Sequence, residues 1–189
     1  GPGVAVYEYV GDGSLSLLID ILTGPISCEY GGSQVEPDTG YVWALQDDVG
    51  KPTLYLIKID ANPDYPYTSA VKWNTSYQQV DLKVCFDANG EYIGTGGAAA
   101  DNFYDMRHHL QYDPATQSII VHQYTDGSGT YLPKGLYRLE CTTRHDLSTL
   151  RIAASRTDII PYQDNETLNV GNVLLGDGLG YYINGGSDL

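Results

Sequence analysis

The stretch that decides the fold lies at residues 108–141 and reads HHLQYDPATQSIIVHQYTDGSGTYLPKGLYRLEC. Two strand-like runs, at residues 108–112 and 118–125, flank the tetrapeptide Asp113-Pro114-Ala115-Thr116. Asp at the first position and Pro at the second favour a type I turn. A Gly-rich connection then leads to a third run at residues 135–140, and the β-branched and apolar residues of all three suit a pleated, half-buried surface. The stretch therefore predicts three strands in series.

The same alternation of apolar runs and turn residues extends along the whole chain. Gly11-Asp12-Gly13-Ser14 and Asp87-Ala88-Asn89-Gly90 are typical hairpin turns, and strand-like runs include residues 70–73 and 80–86. No segment keeps a helical period over three turns. The sequence predicts an all-β protein.

The chain also repeats itself. The segment VDLKVCFDANGEYIGTGG from Val80 matches VGNVLLGDGLGYYINGG from Val170, EPDTGYVWALQ from Glu36 resembles DPATQSIIVHQ from Asp113, and TLYLIKI from Thr53 resembles GLYRLEC from Gly135. The pieces keep their order, which indicates an internal duplication of roughly 75–90 residues. We expect one domain over residues 4–189, with copies at about 4–79 and 80–168 and a partial copy at 169–189.

The run YDPATQSIIVHQYTDG…GLYRLEC, followed by TTRHDLSTLRI, resembles the succession of blade strands in β-propeller repeat proteins. The resemblance covers residues 28–189 in two unequal passes and carries no Trp-Asp dipeptide that would identify a subfamily. It implies antiparallel, propeller-like blades, which are four-stranded sheets stacked radially. A β-sandwich built from a duplicated unit is the alternative fold.

The composition and net charge of the chain limit the classes of partner that are expected. The chain has 189 residues with 42% hydrophobic and 18% charged residues, which is enough for a well-cored domain. Its net charge of −14 argues against nucleic acid and anionic membrane as partners. No apolar run predicts membrane insertion, and no signal peptide is present. Residues 1–3 resemble the remnant of a cleaved purification tag, so we expect that a leader or flanking domains were removed. An extracellular, cell-surface or virion location is favoured as a separate expectation.

Most basic residues fall in one part of the chain, where we interpret them as a solvated face: Arg107, Lys134, Arg138, Arg144, Arg151 and Arg156. The three cysteines lack metal-type spacing and sit in apolar, strand-like contexts: Cys28, Cys85 and Cys141. We expect buried free thiols rather than a disulfide with one spare.

Two histidines are the candidate metal ligands. If the turn after Tyr112 pairs that residue with Ser118, His108 lies directly across from His122. A third and fourth ligand are not indicated, so no metal site is expected. Asp87-Ala88-Asn89-Gly90 begins like a calcium loop but lacks the later Glu, and we interpret it as a hairpin turn.

Catalytic signatures are missing from the sequence. It has no nucleophile elbow and no phosphate-binding or dinucleotide fingerprint, so no cofactor and no catalytic residue is predicted. The tyrosines, 17 in number, favour contact surfaces. The best candidate ligand-binding residues are Tyr65, Tyr67, Trp73 and Tyr77.

Three functions remain open. The first is a non-catalytic binding or adhesion module that recognises glycan or protein within a larger surface, secreted or viral tail-type protein. The second is a carbohydrate-active hydrolase that uses carboxylates, and the third is a purely structural assembly repeat. The similar hairpins at the two ends of the chain leave unpaired edges, which favours flanking domains or a homo-oligomer.

Overall fold

The computed structural model describes residues 5–9, 11–13, 15–20, 32–46, 52–83, 86–87, 90–91, 103–104, 106–123, 132, 135–154, 170–176 and 179–184. These parts of the chain form β-strands with one turn of 3-10 helix at Leu147–Thr149, so the predicted all-β class is confirmed. In chain order the strands are β1 (Ala5–Tyr9), β2 (Leu15–Asp20), β3 (Ser33–Val35), β4 (Val42–Gln46), β5 (Thr53–Ala61), β6 (Trp73–Asp81), β7 (Met106–Asp113), β8 (Ser118–Gln123), β9 (Gly135–Cys141), β10 (Leu150–Ala154), β11 (Val170–Gly176) and β12 (Leu179–Asn184).

Two four-stranded antiparallel sheets form the centre of the described structure. The first has the strand order β3-β4-β5-β6 and the second the order β7-β8-β9-β10, so each sheet is a meander in which neighbours in sequence are neighbours in space. Strands β1 and β2 form a separate antiparallel pair, as do β11 and β12. The predicted terminal hairpins are therefore confirmed as strand pairs.

The repeated sequence pieces occupy corresponding places in the two sheets. The segment from Glu36 contains the β3–β4 turn and strand β4, and the segment from Asp113 contains the β7–β8 turn and strand β8. Both turns carry a positive φ at the matched position, +75° at Gly40 and +52° at Gln117. The backbone thus repeats even where a Gly of one copy is replaced by a Gln in the other.

One apolar core joins the two sheets. Trp43, Leu45 and Leu56 of the first sheet pack in a single cluster with Ile119 and Val121 of the second. A smaller cluster lies on the opposite face of the first sheet and is built from Val42, Ala44, Tyr55 and Ile57. Both faces of the first sheet are therefore apolar at its centre.

The sheets stack through faces that do not correspond in the repeat. The sequence match pairs Val42 with Ile119 and Trp43 with Ile120. In the structure the core cluster contains Trp43 together with Ile119, whereas Ile120 is buried on the other face of its own sheet. The Trp43 face of the first sheet therefore packs against the face of the second sheet that carries Ile119, the residue matched to Val42.

The structure has a single strand, β6, where the sequence predicted two short strands at residues 70–73 and 80–86. It is one nine-residue strand, Trp73–Asp81, that runs through the polar segment between those two runs. It pairs along its whole length with β5, from Ala61 opposite Trp73 to Thr53 opposite Asp81. The polar residues were not predicted as strand because no apolar alternation marks them. Tertiary pairing with β5 outweighs that weak local preference.

Candidate functional site

The four residues predicted to bind a ligand all belong to the β5–β6 hairpin. Tyr65 and Tyr67 lie in its loop, and Trp73 and Tyr77 lie on β6. The exposed fractions of the tyrosines are large, at 42% for Tyr65, 88% for Tyr67 and 54% for Tyr77. Since Trp73 and Tyr77 are four positions apart on one face of a strand, they are separated by about 13 Å.

The hairpin loop is held by hydrogen bonds around Asn62. The Asn62 side chain accepts from the backbone N–H of Asp64 at 3.1 Å and donates to the carbonyl of Val71 at 2.7 Å. The Asp64 carbonyl in turn accepts from the backbone N–H groups of Thr68 and Ser69. The loop therefore closes on itself and presents Tyr65 and Tyr67 on a fixed backbone.

Trp73 and Tyr77 are anchored differently. The Lys72 ammonium lies 5.9 Å from the centre of the Trp73 ring, which is itself only partly exposed. Tyr77 makes an edge-to-face contact with Tyr55, with 5.9 Å between ring centroids. Tyr55 is fixed by donating its hydroxyl to Gln46 at 3.1 Å. One side of Tyr77 thus rests on the sheet and the rest of its ring faces solvent.

The register of β7 and β8 differs from the one on which the histidine pair depends. Tyr112 pairs with Ile119 and Asp113 with Ser118, one position away from the predicted pairing of Tyr112 with Ser118. The ladder then shifts between Met106 and Leu110, so the geometric basis for His108 opposite His122 is wrong. His122 is buried on β8 opposite Leu136, and the side chain of His108 lies outside the described residues. In the described part of the chain, no three His, Cys, Asp or Glu side chains are grouped to hold a metal.

At the calcium-like tetrapeptide the two described residues, Asp87 and Gly90, are joined by a turn hydrogen bond, and residues 88 and 89 lie outside the described part of the chain. The Asp87 carboxylate accepts from the backbone N–H of Glu91 at 3.0 Å, and the Gly90 N–H donates to the Asp87 carbonyl at 3.0 Å. Gly90 has φ +80°, and a Cβ added there would approach the Ile152 side chain to 3.0 Å. The carboxylate therefore organises a turn whose left-handed position 90 favours glycine.

A cluster that sequence reasoning missed lies between the ends of the two sheets, around the carboxylate of Glu36. This side chain is only 2% exposed. One of its oxygens accepts from the Trp43 indole N–H at 2.9 Å, and the other accepts from the Thr39 hydroxyl at 2.6 Å. That second oxygen also lies 3.2 Å from Arg144 Nη2 and 2.7 Å from His145 Nε2. The first sheet is thereby tied to the β9–β10 loop of the second.

The partners of Glu36 are themselves fixed by further contacts. Arg144 Nη2 reaches Asp38 at 2.7 Å and the Tyr112 hydroxyl at 3.3 Å. The His145 ring stacks on Tyr41 with centroids 3.7 Å apart and planes within 7°. Gln78 of β6 donates its side-chain N–H to the carbonyl of His145 at 2.7 Å. We refer to Glu36, Asp38, Arg144 and His145 as the clamp.

The pKa of Glu36 reports this environment. Burial alone raises the pKa of a carboxyl, but the hydrogen bonds from Thr39, His145 and Trp43 outweigh it and hold the pKa of Glu36 below its ordinary value. For Tyr112, burial and the charge of Glu36 raise the pKa of the phenol. The Glu36 carboxyl is therefore ionised at neutral pH.

Asp113 repeats the role of Glu36 in the second sheet. It is 1% exposed and accepts from the Thr116 hydroxyl at 2.8 Å and from Arg138 Nη1 at 2.8 Å. The same guanidinium nitrogen donates to the hydroxyls of Ser118, at 2.7 Å, and Thr116. Burial raises the pKa of Asp113, yet the bonds from Arg138 and Thr116 prevail and lower it.

Two arginines of the predicted solvated face therefore bind buried carboxylates. Arg138 is buried beside Asp113, so that interpretation is wrong for Arg138, whereas Arg144 is one-third exposed while it binds Glu36 in the clamp. The repeated Glu/Asp-Pro-x-Thr pattern was the available signal, because it places a carboxylate and a hydroxyl at the same spacing in each copy. A turn alone requires no buried carboxylate, so the pattern did not by itself predict the arginines.

A cavity of about 60 Å³ adjoins the clamp and has room for a few water molecules. Its lining is polar and comprises Glu36, Trp43, Thr116, Gln117, Glu140, Cys141, Arg144 and His145. The Glu140 carboxylate is held by Arg151 at 2.5 and 2.8 Å, and both Glu36 oxygens accept hydrogen bonds. Burial, with the charge of Asp146, raises the pKa of the Cys141 thiol to about 12. The cavity therefore holds no activated nucleophile among these residues and no uncommitted carboxylate.

Comparison with known proteins adds no relative: no family model, no curated protein and no solved structure matches the chain. Among the described residues, no helix has the length and apolar character to cross a membrane.

Proposed function

We propose that the protein is a non-catalytic binding module that recognises carbohydrate through the exposed tyrosines of the β5–β6 hairpin. The observation that carries this proposal is the exposure of Tyr65, Tyr67 and Tyr77 on a hairpin with a hydrogen-bonded loop. Exposed rings on a fixed backbone cost little conformational entropy on binding, which is how aromatic contact residues work in binding proteins.

Carbohydrate fits this surface better than a protein partner. The loop that carries Tyr67 also offers polar groups, since Asp64 and Thr68 lie close to it in sequence. The negative face of a tyrosine ring attracts C–H groups, while neighbouring carboxylates and hydroxyls can bond sugar hydroxyls. A protein interface of ordinary size needs a larger buried apolar centre.

Catalysis by carboxylates is the less supported function. A glycosidase needs one carboxyl group free to donate a proton and a second to act as base or nucleophile. The buried candidates, Glu36 and Asp113, are each already bound by an arginine and a threonine. Their committed geometry favours a structural role, so binding is the proposal that we retain.

The scaffold of this module is proposed to be a stack of propeller-like blades. The support is the way in which the sheets meet, with the Trp43 face of one copy against the Ile119 face of the next. Head-to-tail contacts of this kind propagate into rings or open arrays, whereas a sandwich with two-fold symmetry brings equivalent faces together. The first sheet is also apolar and buried on its opposite face, at Val42 and Ile57, as a blade packed on both faces would be.

A glycan array probed with the full chain, followed by titration of the best ligand, tests the proposed function. Tyr67→Ala should weaken binding about tenfold, on the order of 1.4 kcal/mol. Val35→Ala is the matched control, because Val35 is 57% exposed but lies on β3 at the far edge of the sheet. Absence of any glycan ligand, or equal loss in both variants, would contradict the proposal.

A further inference from the structure

Strand β6 is an open edge of the first sheet. It ends the strand order β3-β4-β5-β6, and its residues from Asn74 to Gln79 are all exposed. At nine residues it is long for an edge strand. A long exposed edge presents backbone donors and acceptors to any chain that can pair with it.

The hydrogen-bond ladder shows which backbone groups face outward. Leu82 N–H donates to the Pro52 carbonyl and Asn62 N–H to the Lys72 carbonyl, both at 2.9 Å, at the two ends of the β5–β6 pairing. Between them the register is unbroken. Since hydrogen-bonded and non-hydrogen-bonded pairs alternate in antiparallel strands, even-numbered positions of β6 bond to β5. The N–H and C=O groups of Thr75, Tyr77 and Gln79 therefore point away from the sheet.

The corresponding edge of the second sheet is covered. Ile152 of β10 donates its N–H to the Gly90 carbonyl at 2.8 Å, and Glu91 forms a β-bridge with Arg151. Edge strands are usually protected by such coverage, or by charged residues and proline. Residues 74–80 read NTSYQQV and contain neither charge nor proline. Among the described residues, β6 thus has none of these protections.

We propose that β6 pairs antiparallel with β6 of a second copy of this chain, on a two-fold axis at Tyr77. Tyr77 is the middle residue of Trp73–Asp81, so this register uses the whole strand. Tyr77 pairs with its own copy and Thr75 with Gln79 of the second copy. Each pair exchanges two hydrogen bonds through the groups that point outward.

The side chains of this register are compatible with self-association. The uncharged centre places no like charges opposite each other, in a chain whose net charge of −14 otherwise opposes pairing. At each end, Asp81 of one copy lies opposite Trp73 of the other, so no like charges meet there. Gln78, which bonds the β9–β10 loop, points to the core-facing side and leaves the edge open.

Light scattering of the full chain at about 100 µM tests the proposal, with dimer as the expected mass. Thr75→Pro removes an outward N–H without breaking a bond to β5, and Gln79→Lys adds charge to the interface. Both should give monomers. Gln34→Lys is the control, because it adds the same charge to exposed strand β3 of the same sheet and should remain a dimer.

A cross-link decides the case if those variants fail to fold. Residues opposite each other in a hydrogen-bonded antiparallel pair have Cα atoms about 5.5 Å apart, within disulfide range. Tyr77→Cys should therefore form a disulfide-linked dimer on mild oxidation, whereas Tyr67→Cys, more exposed but off the axis, should not. A monomeric wild-type chain overturns the proposal, as does a dimer that survives both edge substitutions or equal cross-linking at the two positions.

Discussion

Glu36 and Asp113 occupy the same position in two copies of one turn, and each is a buried carboxylate bound by a threonine three residues later. Their basic partners differ. Asp113 is neutralised by Arg138 within its own sheet, whereas Glu36 is bound by Arg144 and His145 from the other sheet. The repeated turn therefore closes one sheet internally and, in the other copy, joins the two sheets.

Glu36→Gln should lower the free energy of unfolding by about 1.5–3 kcal/mol, because a neutral amide weakens the charge-assisted hydrogen bonds that the buried carboxylate accepts from Trp43, Thr39 and Arg144. The matched control is Asp38→Asn, which removes a carboxylate from the same arginine at a position that is 54% exposed. That change should cost less than about 1 kcal/mol. Urea unfolding followed by tyrosine fluorescence measures both, and equal losses would show that Glu36 is not the centre of the clamp.

The fold class was predictable because the apolar runs and turn residues act locally. Asp113-Pro114 sets a turn by its own chemistry, and Ile119 to Val121 prefer a pleated surface wherever they are placed. The register was less predictable, because shifting β7 by one position changes no local preference. Strand β6 was missed because its local sequence is polar and favours no strand, and only its pairing with β5 makes it one.

Stability should fall when the pH drops below about 5. The pKa of Glu36 in the folded chain lies below the ordinary value of 4.5, and that of Asp113 lies below 3.8, so the unfolded chain takes up these protons first. Their contribution is complete above the unfolded pKa and is lost as pH falls through the folded pKa. Urea unfolding from pH 7 to pH 3 measures the trend.

Glu36→Gln separates this carboxyl from every other acid in the chain. The difference in unfolding free energy between wild type and variant should shrink as the pH falls, because protonation removes in the wild type what the substitution removes permanently. A difference that stays constant from pH 7 to pH 3 would mean that Glu36 is not ionised in the folded protein.

Cys141 should be a slow thiol while the chain is folded. Its pKa of about 12 leaves almost no thiolate at pH 8, and the thiolate is the reactive form. In a variant with Cys28→Ser and Cys85→Ser, reaction with an aromatic disulfide reagent should be at least about tenfold slower than in urea. Equal rates in the folded and unfolded states would contradict the burial of this side chain.

The candidate binding residues were predictable in kind but not in arrangement. Tyrosines flanked by proline and asparagine mark an exposed loop, and Tyr67 is exposed as that composition suggests. Nothing local shows that Tyr77 rests against Tyr55, because that contact depends on the β5–β6 register. The clamp was unpredictable for the same reason, since Arg144 and Glu36 meet only when the two sheets pack.

The matched turns give a final test of the repeat through backbone conformation. Gly40 has φ +75°, and no atom lies within 4 Å of the position that a Cβ would take there, so Gly40→Ala acts through the backbone alone. It should lower the free energy of unfolding by about 1 kcal/mol, because a side chain in the left-handed region costs about 1–2 kcal/mol and part of that is regained in the unfolded chain.

Gln117→Gly should leave the free energy of unfolding unchanged or raise it, because Gln117 already holds a side chain in the left-handed region at φ +52°. Relief of strain offsets the added freedom of the unfolded chain, so the free energy of unfolding should stay the same or rise by up to about 1 kcal/mol. Ala115→Gly in the same turn is the control and should cost about 0.4–1 kcal/mol, since its φ is not positive. If Gln117→Gly destabilises the chain as much as Ala115→Gly does, the two turns do not share the strained position and their equivalence fails.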